Sequence, residues 1–268
     1  MKINKRFLLN KFYELNFGIY FNDVEDLVWA KVYTSDFINE EYNNHAVVFS
    51  LDKEIDERLV TIEKILLNKP RRPAIYIPGF SKVNNLDKAL SKYNYASSFR
   101  DAWMIFKGSG SSLNQEGYKT VRQIKNDSRL IDEFEKISTL AYGGTKTFDN
   151  PYGGINMQGF INAAKKGFMN YPERMEGYLL NFKDTFVSCA VLLFDNEMGY
   201  IANVATIPGF RNQGFGTFIT NYATARSKTM GHKYTLLATE LGSSVEQYYK
   251  NIGYETVLTG ECFVKSIV

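Results

Sequence analysis

The chain has 268 residues, 44% apolar and 23% charged, which suits one large folded domain or two of ordinary size and excludes a disordered chain. Its formal net charge of +3 is small, and no block of Lys or Arg makes a long basic face, so electrostatics gives no case for a nucleic-acid partner. Cys189 and Cys262 are far apart in apolar, strand-like stretches and read as buried reduced thiols, which implies a cytoplasmic protein; His45 and His232, widely separated and without a Cys cluster, allow no zinc-ligand spacing, so no metal is expected.

The start, Met1 to Lys11, is basic, but its apolar run is too short for a signal-peptide core, and no later stretch is long enough to span a bilayer. His45 to Ser50 reads as a strand, followed by a helix that begins Asp52-Lys53-Glu54-Ile55-Asp56-Glu57. Small polar residues from Gly108 through Gly117 interrupt two patterned regions and place a domain break near residue 113, giving domains 1–112 and 113–268; a long hairpin loop inside one domain has the same composition. After the break, Tyr118 to Lys125 reads as a strand, and Asp127-Ser128 can cap a helix carrying Leu130, Ile131, Phe134, Ile137, Leu140 and Ala141 on one face, ended by Gly143-Gly144. A second helix carries Met157, Phe160, Ile161, Ala164 and Phe168, and Pro172 prevents its continuation.

The period then changes to that of strands over 177–182, 186–194 and 200–207, with Lys183-Asp184 and Asp195-Asn196 as turns, which predicts an antiparallel meander. From Gly214 a helical period returns: Phe215, Phe218, Ile219, Tyr222 and Ala223 face one way, and Thr217, Thr220, Asn221, Thr224 and Lys228 the other. Tyr234 to Ala238 is the next strand. Ser243 with Glu246 and Ser244 with Gln247 both satisfy the capping-box spacing for a helix carrying Val245, Tyr248, Tyr249 and Ile252 and stopping at Gly253. Two strands, 254–258 and 262–267, finish the chain around Gly260. The expected fold class is α/β (α+β), a mixed and largely antiparallel sheet flanked by helices.

One segment carries chemistry. In Thr206-Ile207-Pro208-Gly209-Phe210-Arg211-Asn212-Gln213-Gly214-Phe215-Gly216-Thr217 a strand runs through a glycine-containing loop directly into an amphipathic helix. The first-turn N–H groups of a helix lack intrahelical partners and sit at the positive end of its dipole, so they suit a diphosphate. Gly214 and Gly216 admit the phosphates close to the backbone, and Arg211 adds a full charge. No Lys-Ser or Lys-Thr pair follows the glycines and the preceding topology is a meander, which excludes the nucleotide-triphosphate loop and the dinucleotide fingerprint.

On that loop, and on Tyr248-Tyr249-Lys250-Asn251-Ile252-Gly253-Tyr254 after it, residues 118–268 resemble the GNAT superfamily of N-acetyltransferases. Its Arg/Gln-x-x-Gly-x-Gly/Ala loop cradles the pyrophosphate of CoA, and Arg211, Gly214 and Gly216 fill that pattern. The resemblance implies acetyl-CoA as cosubstrate, the backbone of Val204, Ala205 and Thr206 pairing with the pantetheine arm, and Asn212, Gln213, Gly214, Phe215, Gly216 and Thr217 holding the pyrophosphate. It puts Tyr249 where relatives place the acid that protonates the departing thiolate. Where some relatives carry a basic Glu this sequence has Tyr200; Glu240 is the nearest carboxylate candidate, and a solvated surface residue is its other reading. Asp149, flanked by Phe148 and Tyr152, either attracts a cationic substrate or serves ordinary Asp-Asn-Pro turn chemistry.

Residues 86–106 can be laid without gaps beside the final helix and strands, Tyr95 on Tyr254 and Trp103 on Cys262, with Leu90 falling on Tyr249. The carboxylates of Asp52, Glu54, Asp56 and Glu57 stand where the second half has glycines and would repel a diphosphate. The first half therefore reads as a degenerate, non-binding copy in a tandem arrangement, or as an unrelated α/β cap. The expected function is transfer of acetyl from acetyl-CoA to a primary amine of a small molecule by direct attack in a ternary complex. Two alternatives stand beside it: a transferase using a longer acyl-CoA or aminoacyl-tRNA, against which near-neutral charge argues, and a non-catalytic acyl-CoA sensor.

Overall fold

The computed structural model describes residues 3–51, 54–81, 90–109, 118–143 and 157–266. By compactness the chain divides into two units, Met1–Trp103 with Val257–Val268, and Met104–Thr256. The sequence break near residue 113 lies within 110–117, outside the described residues. The unit boundaries fall inside two strands, and the last residues, expected to close the second domain, belong with the first.

The first unit contains helix α1 (Lys5–Asn16), strands β1 (Asp23–Asp26), β2 (Ala30–Thr34) and β3 (His45–Val48), helix α2 (Ile55–Asn68) and strand β4 (Ala74–Pro78). β1, β2 and β3 form an antiparallel meander, and β4 returns parallel to β3 after α2, with Val47 beside Tyr76. Two strands of 12 residues each, β5 (Tyr95–Phe106) and the last strand β11 (Tyr254–Lys265), carry the chain across the unit boundaries. Their ends coincide with the gap-free correspondence that sets Tyr95 on Tyr254. The expected interruption of β11 at Gly260 is absent. A Cβ on Gly260 would lie 1.9 Å from the Tyr76 hydroxyl, so this glycine lets a bulky side chain of β4 lie against an unbroken antiparallel partner.

The second unit contains β6 (Lys119–Ile124), helices α3 (Ser128–Tyr142) and α4 (Gln158–Asn170), the meander β7 (Met175–Phe182), β8 (Thr185–Phe194) and β9 (Met198–Thr206), then α5 (Phe215–Thr229), β10 (Tyr234–Glu240) and α6 (Ser244–Asn251). Its strand order is β10-β9-β8-β7-β6, antiparallel except where β10 lies parallel to β9. Asp127 caps α3 through bonds from the Arg129 and Leu130 N–H groups, as its sequence predicts. Lys183 and Asp184, both at positive φ, make the tight β7–β8 turn.

Cys189 of β8 lies 3.8 Å from Ser138 of α3, while Glu176 and Tyr178 of β7 face Arg226 and Tyr222 of α5. Helices therefore cover both faces of the sheet, which is why β8 is buried from Val187 to Phe194 without alternation. The same arrangement corrects the two-faced reading of α5. Thr220 and Thr224, expected on the solvent side, are buried, because Tyr248 and Tyr254 close over that face; the Thr224 and Tyr254 hydroxyls are 2.6 Å apart. At its C-terminal end α5 is fixed by a bidentate pair, Arg226 to the buried Glu176 at 3.0 and 2.8 Å.

In the first unit His45 sits among Tyr13, Phe21 and Tyr76. Its Nδ1–H donates to the Glu41 carbonyl at 2.7 Å, so its Nε2 accepts from the Tyr13 hydroxyl at 2.6 Å, and the ring is neutral. Burial pushes its pKa down to about 4, against the pull of the Glu41 carbonyl. An unfolded histidine binds its proton near pH 6.5, so between about 6.5 and 4 the unfolded chain holds more protons than the folded one. Stability is thus flat above about pH 7 and falls as pH drops through that window, by on the order of 3 kcal/mol from this ring. Denaturant unfolding of the wild type and His45→Gln from pH 8 to 4 checks this: the variant loses that part of the slope.

Candidate functional site

The site is built where β9 ends. Pairing of β10 with β9 runs only from Tyr234↔Met198 to Leu236↔Tyr200, although β9 continues to Thr206 and β10 to Glu240. Past Tyr200, which replaces the basic Glu of some relatives, the two strands part and leave a wedge. On its other edge β9 stays bonded to β8, with an irregularity between Cys189 and Val191 opposite Asn203. Asn203 is at φ 49; its Nδ2 is buried without a hydrogen-bond partner among the described residues, as is Oδ1 of Asn221 on α5. The sequence carries no clear signal for this pair beyond an amide residue within a strand.

From Thr206 the chain passes through a 3₁₀ turn, Pro208–Phe210, and enters α5 with Asn212 at φ 60 and Gly214 at φ 80. Those left-handed residues turn the helix end back toward the wedge. No side chain caps α5, and the first N–H with an intrahelical acceptor is that of Phe218, which donates to Gly214. The N–H groups from Asn212 to Thr217 donate to no acceptor among the described residues. Asn212, Gln213 and Gly214 are exposed, and nothing lies within 4 Å of where a Cβ on Gly214 would point. At Gly216 that position would lie 3.5 Å from both the Thr206 and Tyr248 hydroxyls, so the end of β9, the first turn of α5 and α6 meet there.

Arg211 behaves differently from its sequence reading. Its guanidinium turns back, donating from Nε to the Thr206 carbonyl at 3.2 Å and from Nη2 to the Ala141 carbonyl at 2.5 Å. The Tyr142 hydroxyl donates to the Val204 carbonyl at 3.1 Å. The C-terminal turn of α3 is thereby tied to both the end of β9 and the loop, and two carbonyls of the Val204–Thr206 segment already accept protein donors. Sequence periodicity cannot show such ties, because they depend on where long polar side chains end.

Tyr249 lies on α6, buried, with its ring against Tyr248 at 4.9 Å and edge-on to Tyr254 at 5.8 Å. α6 opens as the Ser243/Glu246 capping box: Ser243 Oγ accepts from the Glu246 N–H at 3.2 Å, and the Glu246 carboxylate takes the Gly242 N–H at 2.7 Å. Burial and the hydrogen bonds from Lys250, Gly242 and Thr256 oppose each other on Glu246, and the bonds prevail, keeping its pKa below the ordinary value. Burial also pushes the Tyr248 phenol up, against hydrogen bonds from Thr220 and Thr217, so Tyr248 stays neutral. Glu240 is half-buried at the end of β10, and its backbone carbonyl accepts from Ser243 Oγ at 2.7 Å. Phe148, Asp149 and Tyr152 lie outside the described residues.

Residues 151–254 match the family model described as acetyltransferase (GNAT) family. No curated protein matches the chain. Among solved structures, a GCN5-related N-acetyltransferase from Kribbella flavida is similar over 100% of this chain and 97% of its own, at 16% identity and a TM-score of 0.72. A functionally unknown conserved protein from Staphylococcus epidermidis follows at 12% identity, 96% and 98% coverage and a TM-score of 0.70. A tandem GNAT protein from the clavulanic acid biosynthesis pathway is similar over 88% of this chain and 77% of its own, at 8% identity and a TM-score of 0.54. At these identities the likeness is one of fold. The match to the GNAT acetyltransferase family thus spans residues 151–254, within a chain whose fold is similar along its whole length to that of a GCN5-related N-acetyltransferase.

The Arg211 bridge makes a prediction that separates its two roles. If the guanidinium is a brace, Arg211→Gln lowers unfolding stability by about 1–3 kcal/mol and weakens acetyl-CoA binding by less than about tenfold. Chemical denaturation and calorimetric titration on the same sample check it. A larger loss of affinity at unchanged stability identifies Arg211 as a phosphate ligand.

Proposed function

We propose that this chain is an acyl-CoA-dependent N-acyltransferase that moves an acetyl group from acetyl-CoA to a primary amine of a small molecule by direct attack in a ternary complex. The observation that carries this reading is the parting of β9 from β10 beside an uncapped helix N-terminus. A pantetheine arm is an extended chain of amides, which suits a strand edge left open, and a diphosphate suits unpartnered N–H groups at the positive end of a helix dipole. The residues fit the ligand: the approach at Gly214 is open, and the buried Asn203 Nδ2 and Asn221 Oδ1 supply one donor and one acceptor without protein partners.

Acetyl-CoA supplies the thioester. In the transfer the acceptor nitrogen forms a bond to the acyl carbon, the C–S bond breaks, and Tyr249, the acid that the resemblance suggests, gives its proton to the departing thiolate. Before the attack the acceptor ammonium gives one proton to Glu240 or, through water, to bulk, and the second proton, which the nitrogen sheds as the amide forms, returns through solvent to the Tyr249 phenolate. Asp149, with Phe148 and Tyr152, remains the proposed cation-attracting group for the acceptor. The first unit binds no acyl-CoA on this reading: α2 begins with Asp56 and Glu57 in its first turn, and the residue before it is Glu54.

Titration with acetyl-CoA should therefore give one site per chain. Gly214→Glu should abolish the binding signal while costing about 1–2 kcal/mol of stability, because it forces a side chain into the left-handed region and sets bulk and negative charge in the cradle. Unchanged affinity in the folded variant would remove the loop from the cosubstrate site.

Tyr249→Phe removes one hydroxyl and keeps the ring. As the general acid, Tyr249 contributes roughly 10²–10⁴-fold to turnover, so the variant should lose that factor at little change in acetyl-CoA affinity. Steady-state thiol release with a panel of amines, read beside thermal unfolding, checks it. Full turnover in the variant means that water or another residue delivers the proton.

A further inference from the structure

The flank of α5 away from the wedge carries an aromatic cluster that the reading above does not use. Phe215 lies 5.0 Å from Phe182 of β7 and 5.8 Å from Phe210 of the loop, and Phe182 and Phe210 are themselves 6.4 Å apart. Phe215 is buried, whereas Phe182, Phe210 and Phe218 are only half-buried. Two ammonium groups stand on these rings. Lys119 of β6 is 5.7 Å from the centre of Phe215 and 5.4 Å from that of Phe218, and Lys183 of the β7–β8 turn is 5.2 Å from that of Phe182. Neither has a carboxylate or hydrogen-bond partner among the described residues, although Lys136, Lys165 and Lys250 of the same unit each pair with a glutamate.

Two uncommitted cations over a partly open aromatic surface suit a ligand that carries a flat ring and a dianion. They stand beside the helix end proposed to hold the diphosphate, on the flank opposite the wedge. A molecule that enters along the wedge and crosses that helix end continues onto this flank. The portion of acyl-CoA beyond the diphosphate is an adenine ring on a ribose 3′-phosphate, which has both features. Lys119 and Lys183 come from different elements, so together they would set two charges against one phosphate; the exposed Asp184 next to Lys183 reduces this field without cancelling it.

We propose that Lys119 and Lys183, standing on the Phe182–Phe210–Phe215–Phe218 cluster, bind the 3′-phosphorylated adenosine end of the cosubstrate, so that the protein selects CoA thioesters over their dephospho forms. This rests on the acyl-CoA reading of the loop. The test is calorimetric titration of the full chain with CoA and with dephospho-CoA, which lacks only the 3′-phosphate. It compares the wild type with Lys119→Met, which keeps the apolar stem over the rings, and with Lys183→Asn, which suits the left-handed turn. Wild type should bind CoA about tenfold or more tightly than dephospho-CoA, each variant should narrow that preference, and the double variant should remove it while dephospho-CoA binds as before. Raising the salt should weaken CoA binding more in the wild type than in the double variant. Equal affinity of the wild type for the two compounds, or a preference that survives in the double variant, overturns the assignment and leaves the diphosphate cradle standing. Failure of the wild type to bind either compound overturns both.

Discussion

The organising constraint of the second unit is the separation of two parallel strands. Backbone N–H and C=O groups buried in a sheet need partners, and a strand edge that gives them up must find others or face a ligand. β9 gives up its partner after Tyr200, and the neighbouring structure responds at each step: Asn203 kinks the strand, the Tyr142 hydroxyl takes the Val204 carbonyl, the Arg211 guanidinium takes that of Thr206, and Pro208 has no N–H to leave unsatisfied. Two left-handed residues then swing α5 into place, so that its free N–H groups sit beside the opening. Burial of α5 on two faces and the Arg226–Glu176 anchor at its far end hold the helix in position.

The first unit repeats this order of elements. Its meander, helix and parallel return strand follow the order of β7 to β10, and β5 matches β11 in length and position. Even the backbone before the helix is kept: Glu54 holds φ 56 where Gly214 holds φ 80. A side chain in that conformation is strained by about 1–2 kcal/mol, yet the geometry persists because the strand-to-helix connection requires it. What has changed is the charge, since Asp56 and Glu57 occupy the first turn.

Much of this was legible in the sequence because it rests on local rules. Strand-like runs bounded by the Lys183-Asp184 and Asp195-Asn196 turns marked β7 to β9, the Asp127 and Ser243 caps marked the starts of α3 and α6, and the glycine spacing marked the loop. Where the reading failed, a tertiary partner decided. Thr220 and Thr224 look like a solvent face until two tyrosines from elsewhere in the chain bond to that side. Gly260 looks like a break until Tyr76 fills the space above it. The ties from Arg211 to carbonyls on α3 and β9 have no counterpart in the sequence reading of its charge. The family match at 151–254 covers the loop and the tyrosine helix, the two stretches in which backbone geometry dictates residue type.

The course of β11 bears on how this molecule is assembled in time. Residues from Gly260 to Val264 supply the antiparallel neighbour of β4, whose five residues are all buried, and Phe263 belongs to the hydrophobic core of the first unit. A ribosome delivers β4 well before this neighbour. Until then the first unit presents an apolar strand with an open edge, the kind of surface on which chains pair wrongly with one another. The first unit is thus completed only after the second has been synthesised, and a chain divided near residue 113 would keep that edge exposed for its lifetime.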